Sequence, residues 1–289
     1  MKSVEPINIK TRNYKSNGKV VENPWRDLRR FTDARIGLGR AGISLPTSEM
    51  LAFQLSHAQA RDAVNFPLDI GEMTKSLSTI NGLCDLGKPL NVQSEAADRV
   101  TYLQRPDLGR KLNEAGRNTL LNTMQSSAQA QYDLAIVVVD GLSSLAVQKN
   151  AAPFITELLK QLPTEPSPYK IAPITLVMQG RVAIGDDIGE LLNAQVVMVL
   201  IGERPGLSSP DSLGLYLTWA PKTGLNDACR NCISNIRPAG LSYFEAARRA
   251  VYLLQEAKKC GLTGVNLKDR TQDDVIEHQV QTTNFLIAE

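Results

Sequence analysis

The chain has 289 residues, 43% hydrophobic and 21% charged, an ordinary globular composition with enough apolar material for one large core or two smaller ones. No apolar run approaches the roughly 20 residues of a membrane span, and no apolar amino-terminal segment marks a secretory signal, so an intracellular protein without a membrane partner is expected. Ten Lys or Arg against four acids in residues 1–40 make the start of the chain basic, although the net charge is only +2. No zinc-finger spacing or aromatic-rich RNA-binding signature accompanies that charge. A solvated tail and helix face are therefore expected, and no nucleic acid partner. Four cysteines (Cys84, Cys229, Cys232, Cys260) do not make a disulfide scaffold in a chain this long, and reduced thiols are the default.

Residues 1–23 are polar, Lys/Asn-rich and without hydrophobic period, which reads as a mobile basic arm. A charged, helix-like stretch follows at Asp27–Ile36. Thr47 can cap a helix to about Asn65, with Met50, Phe53, His57, Ala60 and Val64 on one face. Another helix is expected from Asp107, with Leu108, Leu112 and Ala115 on one side. Beyond Tyr132 the texture changes. Leu134–Val139 is a continuous β-branched run ending at Asp140-Gly141, the pattern of a strand buried on both faces. A helix at Pro153–Leu162, a strand at Ile174–Met178, a helix near Asp187–Leu192 and a strand at Val196–Ile201 follow. Leu213–Trp219 can add another strand. Ser242 with Glu245 has capping-box spacing, opening a helix to about Lys259 with Gly261 beyond it. The alternation predicts an α/β fold: a helical amino-terminal region (24–125), then a mainly parallel, Rossmann-like α/β domain (126–268), then a tail (269–289) with no readable role.

Three motifs invite functional readings. Gly37-Leu38-Gly39-Arg40-Ala41-Gly42 has the letters of a dinucleotide fingerprint, with Asp62 about 20 residues on, but no apolar strand precedes it and no helix opens within it. A turn is expected. Cys229-Arg230-Asn231-Cys232 is a CxxC, yet no second paired spacing completes a zinc site, and residues 233–238, with Pro238, do not look like the opening helix of a redox dithiol. Of the two histidines, His57 falls on an apolar helix face, as a satisfied core or interface histidine would, and His278 lies in a polar stretch. No Ser/His/Asp array can be nominated.

The strand ends give the stronger signal, because ligands of open parallel sheets bind beyond the carboxyl ends of the strands. The three loops there, Asp140–Ser144, Gly180–Val182 and Gly202–Gly206, combine glycine with polar groups. Glycine lets backbone come close to a ligand, and Glu203 can accept hydrogen bonds from one. Tight βα turns with a solvated Glu203 are the plain alternative. A stand-alone α/β nucleotide-binding protein or enzyme could use the same crevice.

Taken in order, DLRRFTDARIGLGRAG (27–42), YLQRPDLGRKL (102–112), VVDGLSS (138–144), GRVAIGDDIGE (180–190), IGERPGL (201–207) and CISNI (232–236) resemble the small subunit of ethanolamine ammonia-lyase. The likeness runs from about residue 25 to residue 268. It implies a hetero-oligomer with a large barrel subunit, adenosylcobalamin held at the interface, and conversion of ethanolamine to acetaldehyde and ammonia by radical chemistry that the cofactor carries. The substrate pocket then belongs chiefly to the large subunit, and no catalytic or metal-ligating residue is assigned to this chain. Carried over by motif, the family's small-subunit cobalamin contacts fall on Val182 in GRV, Glu203 in GERPG and Cys232 in CISN. No D-x-H-x-x-G occurs, the motif by which some cobalamin proteins place a histidine under cobalt. The first 23 residues do not resemble the extension that addresses some members to a bacterial microcompartment, so a cytoplasmic location is expected first and encapsulation second.

Overall fold

The computed structural model describes residues 23–271, except 33, 84, 85, 128–130 and 166. The basic arm up to residue 22, Cys84, His278 and the tail beyond residue 271 lie outside the described residues. Chain contacts define two units, which divide between Ala58 and Gln59.

In the first unit Asn23 caps a short 3-10 helix, Pro24–Arg30, by accepting the Trp25 N–H at 3.1 Å. Helix α1 (Thr47–Asn65) begins in this unit, with Thr47 as its first residue rather than its cap, and ends at Asn65 as expected. Glu49 ties the intervening loop down. Its carboxylate receives Arg26 at 3.1 Å and both prongs of Arg29 at 2.9 Å, while Arg35 donates to the Glu49 backbone oxygen at 3.0 Å. The Arg29 guanidinium above all holds this carboxyl below its usual range. The glycines at 37–42 form a turn closed by the Ala41–Ser44 bridge, as their context implies. The apolar side chains here do not make a core. Trp25 is 67% and Phe31 64% exposed, Ile43 is wholly exposed, and Met50 and Phe53 on the anticipated helix face are nearly half exposed. His57 is therefore not a core histidine: it is exposed, its ring 6.0 Å from that of Phe53.

The second unit contains α2 (Ile70–Ser78), β1 (Leu90–Gln93), α3 (Arg99–Gln104), α4 (Glu114–Ser126), β2 (Tyr132–Val139), α5 (Ser144–Gln161), β3 (Thr175–Met178), α6 (Ile184–Leu191), β4 (Ala194–Gly202), β5 (Leu213–Trp219), β6 (Arg230–Ile236) and α7 (Tyr243–Cys260). Among the described residues the sheet has six strands in the order β1-β3-β2-β4-β5-β6. The first four are mutually parallel; β5 and β6 are added antiparallel. This is the expected mainly parallel α/β architecture. From β2 the chain crosses by α5 to β3 on one side, then by α6 back past β2 to β4 on the other. That reversal makes β2 the topological switch point and puts α5 and α6 on opposite faces.

Two apolar clusters record the layering. Leu134, Ile136, Val138, Val196, Met198 and Leu200 pack against α5 and α7, and the alternate residues Ala135, Val137, Val139, Val197, Val199 and Ile201 pack under Ile184 and Ile188 of α6. Coverage on both faces is the physical reason β2 and β4 read as unbroken apolar runs. In β6 only Ile233 and Ile236 of the apolar set are buried, towards α7, while Cys232, Ser234 and Asn235 are exposed.

Some elements depart from expectation. The helix expected from Asp107 is a 3-10 turn at Leu108–Arg110; α4 opens later, where the Asn113 side chain accepts the Gly116 N–H at 2.7 Å. Helix α5 starts at Ser144, capped by the Ser143 hydroxyl, with Pro153 inside it rather than at its start. Strand β1, from the stretch read as helical, is the edge strand beside β3, and the unit holding the sheet begins at Gln59.

Candidate functional site on the antiparallel side of the sheet

At the switch point the strand-end loops close on one another. The Asp140 carboxylate, which ends β2, accepts the N–H groups of Gln179 at 2.9 Å and Gly180 at 3.2 Å beyond β3. Arg99 stands 3.8 Å from that carboxylate and donates to the Gly141 oxygen at 2.7 Å. Burial lifts the Asp140 pKa to about 6 against the pull of these donors. Leu142 N–H donates to the Gly202 oxygen at 2.9 Å, and a Cβ on Gly202 would stand 2.0 Å from the Ser143 oxygen. At Gly141 and Gly202 glycine is required so that the two loops can touch each other, as tight βα turns would need.

The open surface lies one step along the sheet. Among the described residues the main helical contacts of β5 and β6 are with α5, α7 and the 3-10 turn at Gly264–Asn266, not with α6. Strand alternation projects Gly214 and Tyr216 of β5 to the α6 side, with Cys232 of β6 directly across from Tyr216. Tyr216 and Val182 both pack, partly buried, on the apolar cluster under α6. Val182 lies one residue before the Ala183 cap of α6, beside the Arg181 N–H that donates to the Gly109 oxygen at 2.7 Å. Burial first, then the neighbouring Cys232 and Glu203, push the Tyr216 phenol well above its ordinary pKa, so it is a neutral hydroxyl. The Cys232 thiol is exposed, 3.4 Å from the Ser234 hydroxyl.

Glu203 follows β4. Its carboxylate accepts the Ser212 hydroxyl and, at 3.2 Å, the Asn235 N–H, and it lies across Gly214. Among the described residues it has no ion-pair partner. The residues nominated from the motifs thus occupy three elements around one surface: Val182 at the α6 end, Glu203 at the strand-end rim, Cys232 on β6. Tyr216, Ser212 and Asn235 were not nominated. The legible signal was the alternation of Leu213, Leu215 and Leu217 with Gly214, Tyr216 and Thr218; of the second set Gly214 and Thr218 are buried and Tyr216 is half-buried.

The CxxC is split between two environments. Cys229 ends a 3-10 turn with its thiol 3.5 Å from the Asn226 side-chain oxygen, and Cys232 is in β6. No group of three or more His, Cys, Asp or Glu stands in metal-holding proximity among the described residues. An open cleft of about 910 Å³ between α2 and α5, lined in part by Asn81, Lys149, Thr156 and Tyr169, lies on the opposite side of the sheet from Val182 and Tyr216.

This fold and surface define an α/β chain with a half-covered sheet extension that offers an open wall, not an enclosed pocket. The chain matches the family model of the ethanolamine ammonia-lyase light chain over residues 22–268 and belongs to that family, so it is a lyase subunit. It is 54% identical over 269 residues to the ethanolamine ammonia-lyase small subunit of Pseudomonas aeruginosa (strain UCBPP-PA14), covering 92% of this chain and 95% of that one. The small subunit of Azotobacter vinelandii (strain DJ / ATCC BAA-1303) is 55% identical over 255 residues, 88% of this chain and 91% of its own.

Proposed function

We propose that this chain is the small subunit of an adenosylcobalamin-dependent ethanolamine ammonia-lyase and supplies one wall of the cobalamin site, a large subunit supplying the opposite wall. The observation that carries this reading is the grouping of Val182, Glu203 and Cys232 around the half-buried Tyr216 of β5 and the exposed end of β6. Its groups suit a corrin edge. A corrin is a broad ring fringed with amide side chains, and Glu203 can accept their N–H groups. Val182 covers apolar ring or nucleotide surface. Cys232, small and exposed, allows close approach and packs without ligating cobalt.

Adenosylcobalamin supplies the radical chemistry when bound. This chain orients the cofactor and excludes water from one side; it carries no catalytic residue. The first unit, whose Trp25, Phe31 and Ile43 are exposed, offers apolar side chains to the partner chain. No described helix is long and apolar enough to cross a membrane. We place the assembly in the cytoplasm, with encapsulation in a bacterial microcompartment as the second choice.

Co-expression with a candidate large subunit tests the proposal. The expected result is a stable complex that releases ammonia from ethanolamine only when both chains and adenosylcobalamin are present. Turnover by the isolated chain, or a complex whose cobalamin affinity is the same without this chain, would overturn it.

A further inference from the structure

Glu203 is held by neutral donors alone among the described residues. Both fall on one oxygen: the Ser212 hydroxyl and the Asn235 N–H, at 3.2 Å, go to Oε2. Oε1 receives no donor from the described residues. The backbone reinforces the arrangement, since Glu203 N–H donates to the Ser212 oxygen at 2.9 Å.

Asn235, whose N–H makes this bond, has φ +61°, a left-handed conformation that asparagine tolerates better than most side chains. Two hydrogen bonds lock it there: Arg237 Nε to the Asn235 side-chain oxygen at 3.0 Å, and Leu241 N–H to its backbone oxygen at 2.7 Å. Strained backbone over-determined in this fashion clusters at ligand sites. Gly214 completes the cradle. A Cβ there would stand 2.9 Å from Oε1 and 3.1 Å from Cγ of Glu203, so any side chain would lift the carboxylate.

We infer that Ser212, Asn235 and Gly214 are positioning residues that saturate Oε2 of Glu203 and leave Oε1 presented to an amide N–H of the bound cofactor. The inference rests on the cobalamin-wall reading and names the machinery that makes Glu203 a directed acceptor. A surface staple joining β4 to β6 would need no vacant oxygen and no glycine beneath it.

The test is a double-mutant cycle on the complex with its large subunit, reading the equilibrium affinity for adenosylcobalamin by visible absorbance rather than turnover. Ser212→Ala is expected to weaken binding about tenfold, the effect of one hydrogen bond to a charged group. Ser212→Thr, which keeps the hydroxyl, restores the affinity; Gly214→Ala weakens it. In a Glu203→Ala background, where no carboxylate is left to position, Ser212→Ala adds nothing further. Wild-type affinity for Ser212→Ala, or equal weakening in both backgrounds, overturns the positioning role while leaving the cobalamin wall standing. Wild-type affinity for Glu203→Ala alone overturns the Glu203 contact, and with it this inference.

Discussion

Arg230 of β6 reaches beneath the open face to Asp186 in the first turn of α6, and both side chains are only 2% exposed. The pair ties the element that bears Cys232 to the helix that Val182 precedes. Burial lifts the Asp186 pKa to about 6, with Arg230 opposing. Oδ1 of Asp186 and Nε of Arg230 are buried without a partner in the described structure.

Removing Asp186 leaves the buried Arg230 with the exposed Asp227 at 3.1 Å and the Leu225 oxygen at 3.1 Å as partners, and without its buried counter-ion. Asp186→Ala is expected to destabilise the chain by about 3–5 kcal/mol, whereas the joint replacement Asp186→Leu with Arg230→Met costs far less, because both charges leave together. Urea midpoints of the three proteins check this. Equal costs for the single and joint replacements would show that the pair is not the brace.

The contact between the β2 and β4 loops admits no side chain. Gly141 has φ +58° and its Cβ would stand 2.3 Å from the Gly202 oxygen, while a Cβ on Gly202 would meet the Ser143 oxygen at 2.0 Å. Neighbours at that distance are backbone and cannot turn aside. Gly202→Ala is expected to cost about 3 kcal/mol or more, at the upper end of overpacking. Thermal unfolding measures it; a shift within error of wild type would mean that the loops part easily.

Burial on both faces is what made the parallel core legible. Leu134–Val139 and Val196–Ile201 announce themselves because every residue is apolar, and their helices follow at crossover spacing. β1 was missed for the opposite reason. Leu90–Gln93 is four residues long with only Val92 buried, too short for any period to register. Pro153 misled in another way: proline favours the first turn of a helix, but here the Ser143 cap starts α5 ten residues earlier. For the candidate site, the motif residues Val182, Glu203 and Cys232 were nameable, but the groups that fix Glu203 were not. Ser212 and Asn235 meet it only through strand pairing and a left-handed turn, and neither leaves a mark on local pattern.

Asp140 gives a pH signature of defined sign. Its folded pKa, about 6, lies above the ordinary 3.8. An acid raised on folding binds its proton more tightly in the native state, so its stabilising contribution is complete below about pH 4 and is lost as pH rises through about 6. Asn cannot ionise. Relative to wild type, Asp140→Asn is expected to gain about 3 kcal/mol between pH 4 and pH 7, the equivalent of about two pKa units. Urea midpoints of both proteins across that range would show converging or crossing curves; parallel curves would mean that Asp140 titrates normally.

Tyr102 is fully buried between two guanidinium groups, Arg99 at 4.7 Å and Arg181 at 4.3 Å from its ring centroid. Arg181 also donates to the Tyr102 backbone oxygen at 3.1 Å, so the sandwich fixes the loop that carries Val182. The Tyr102 hydroxyl has no hydrogen-bond partner among the described residues. Burial pushes its pKa up to about 12, and the group is a neutral, unsatisfied phenol. The ring and the hydroxyl therefore have opposite effects on stability. Tyr102→Phe keeps the ring, removes the unpaired polar atom and is expected to stabilise the chain by about 1 kcal/mol. Tyr102→Leu loses both cation–π contacts and part of the packing, and is expected to cost about 2 kcal/mol or more. Unfolding midpoints of the two variants decide the matter: if Phe is as destabilising as Leu, the hydroxyl is hydrogen-bonded after all, and the ring alone does not hold the loop.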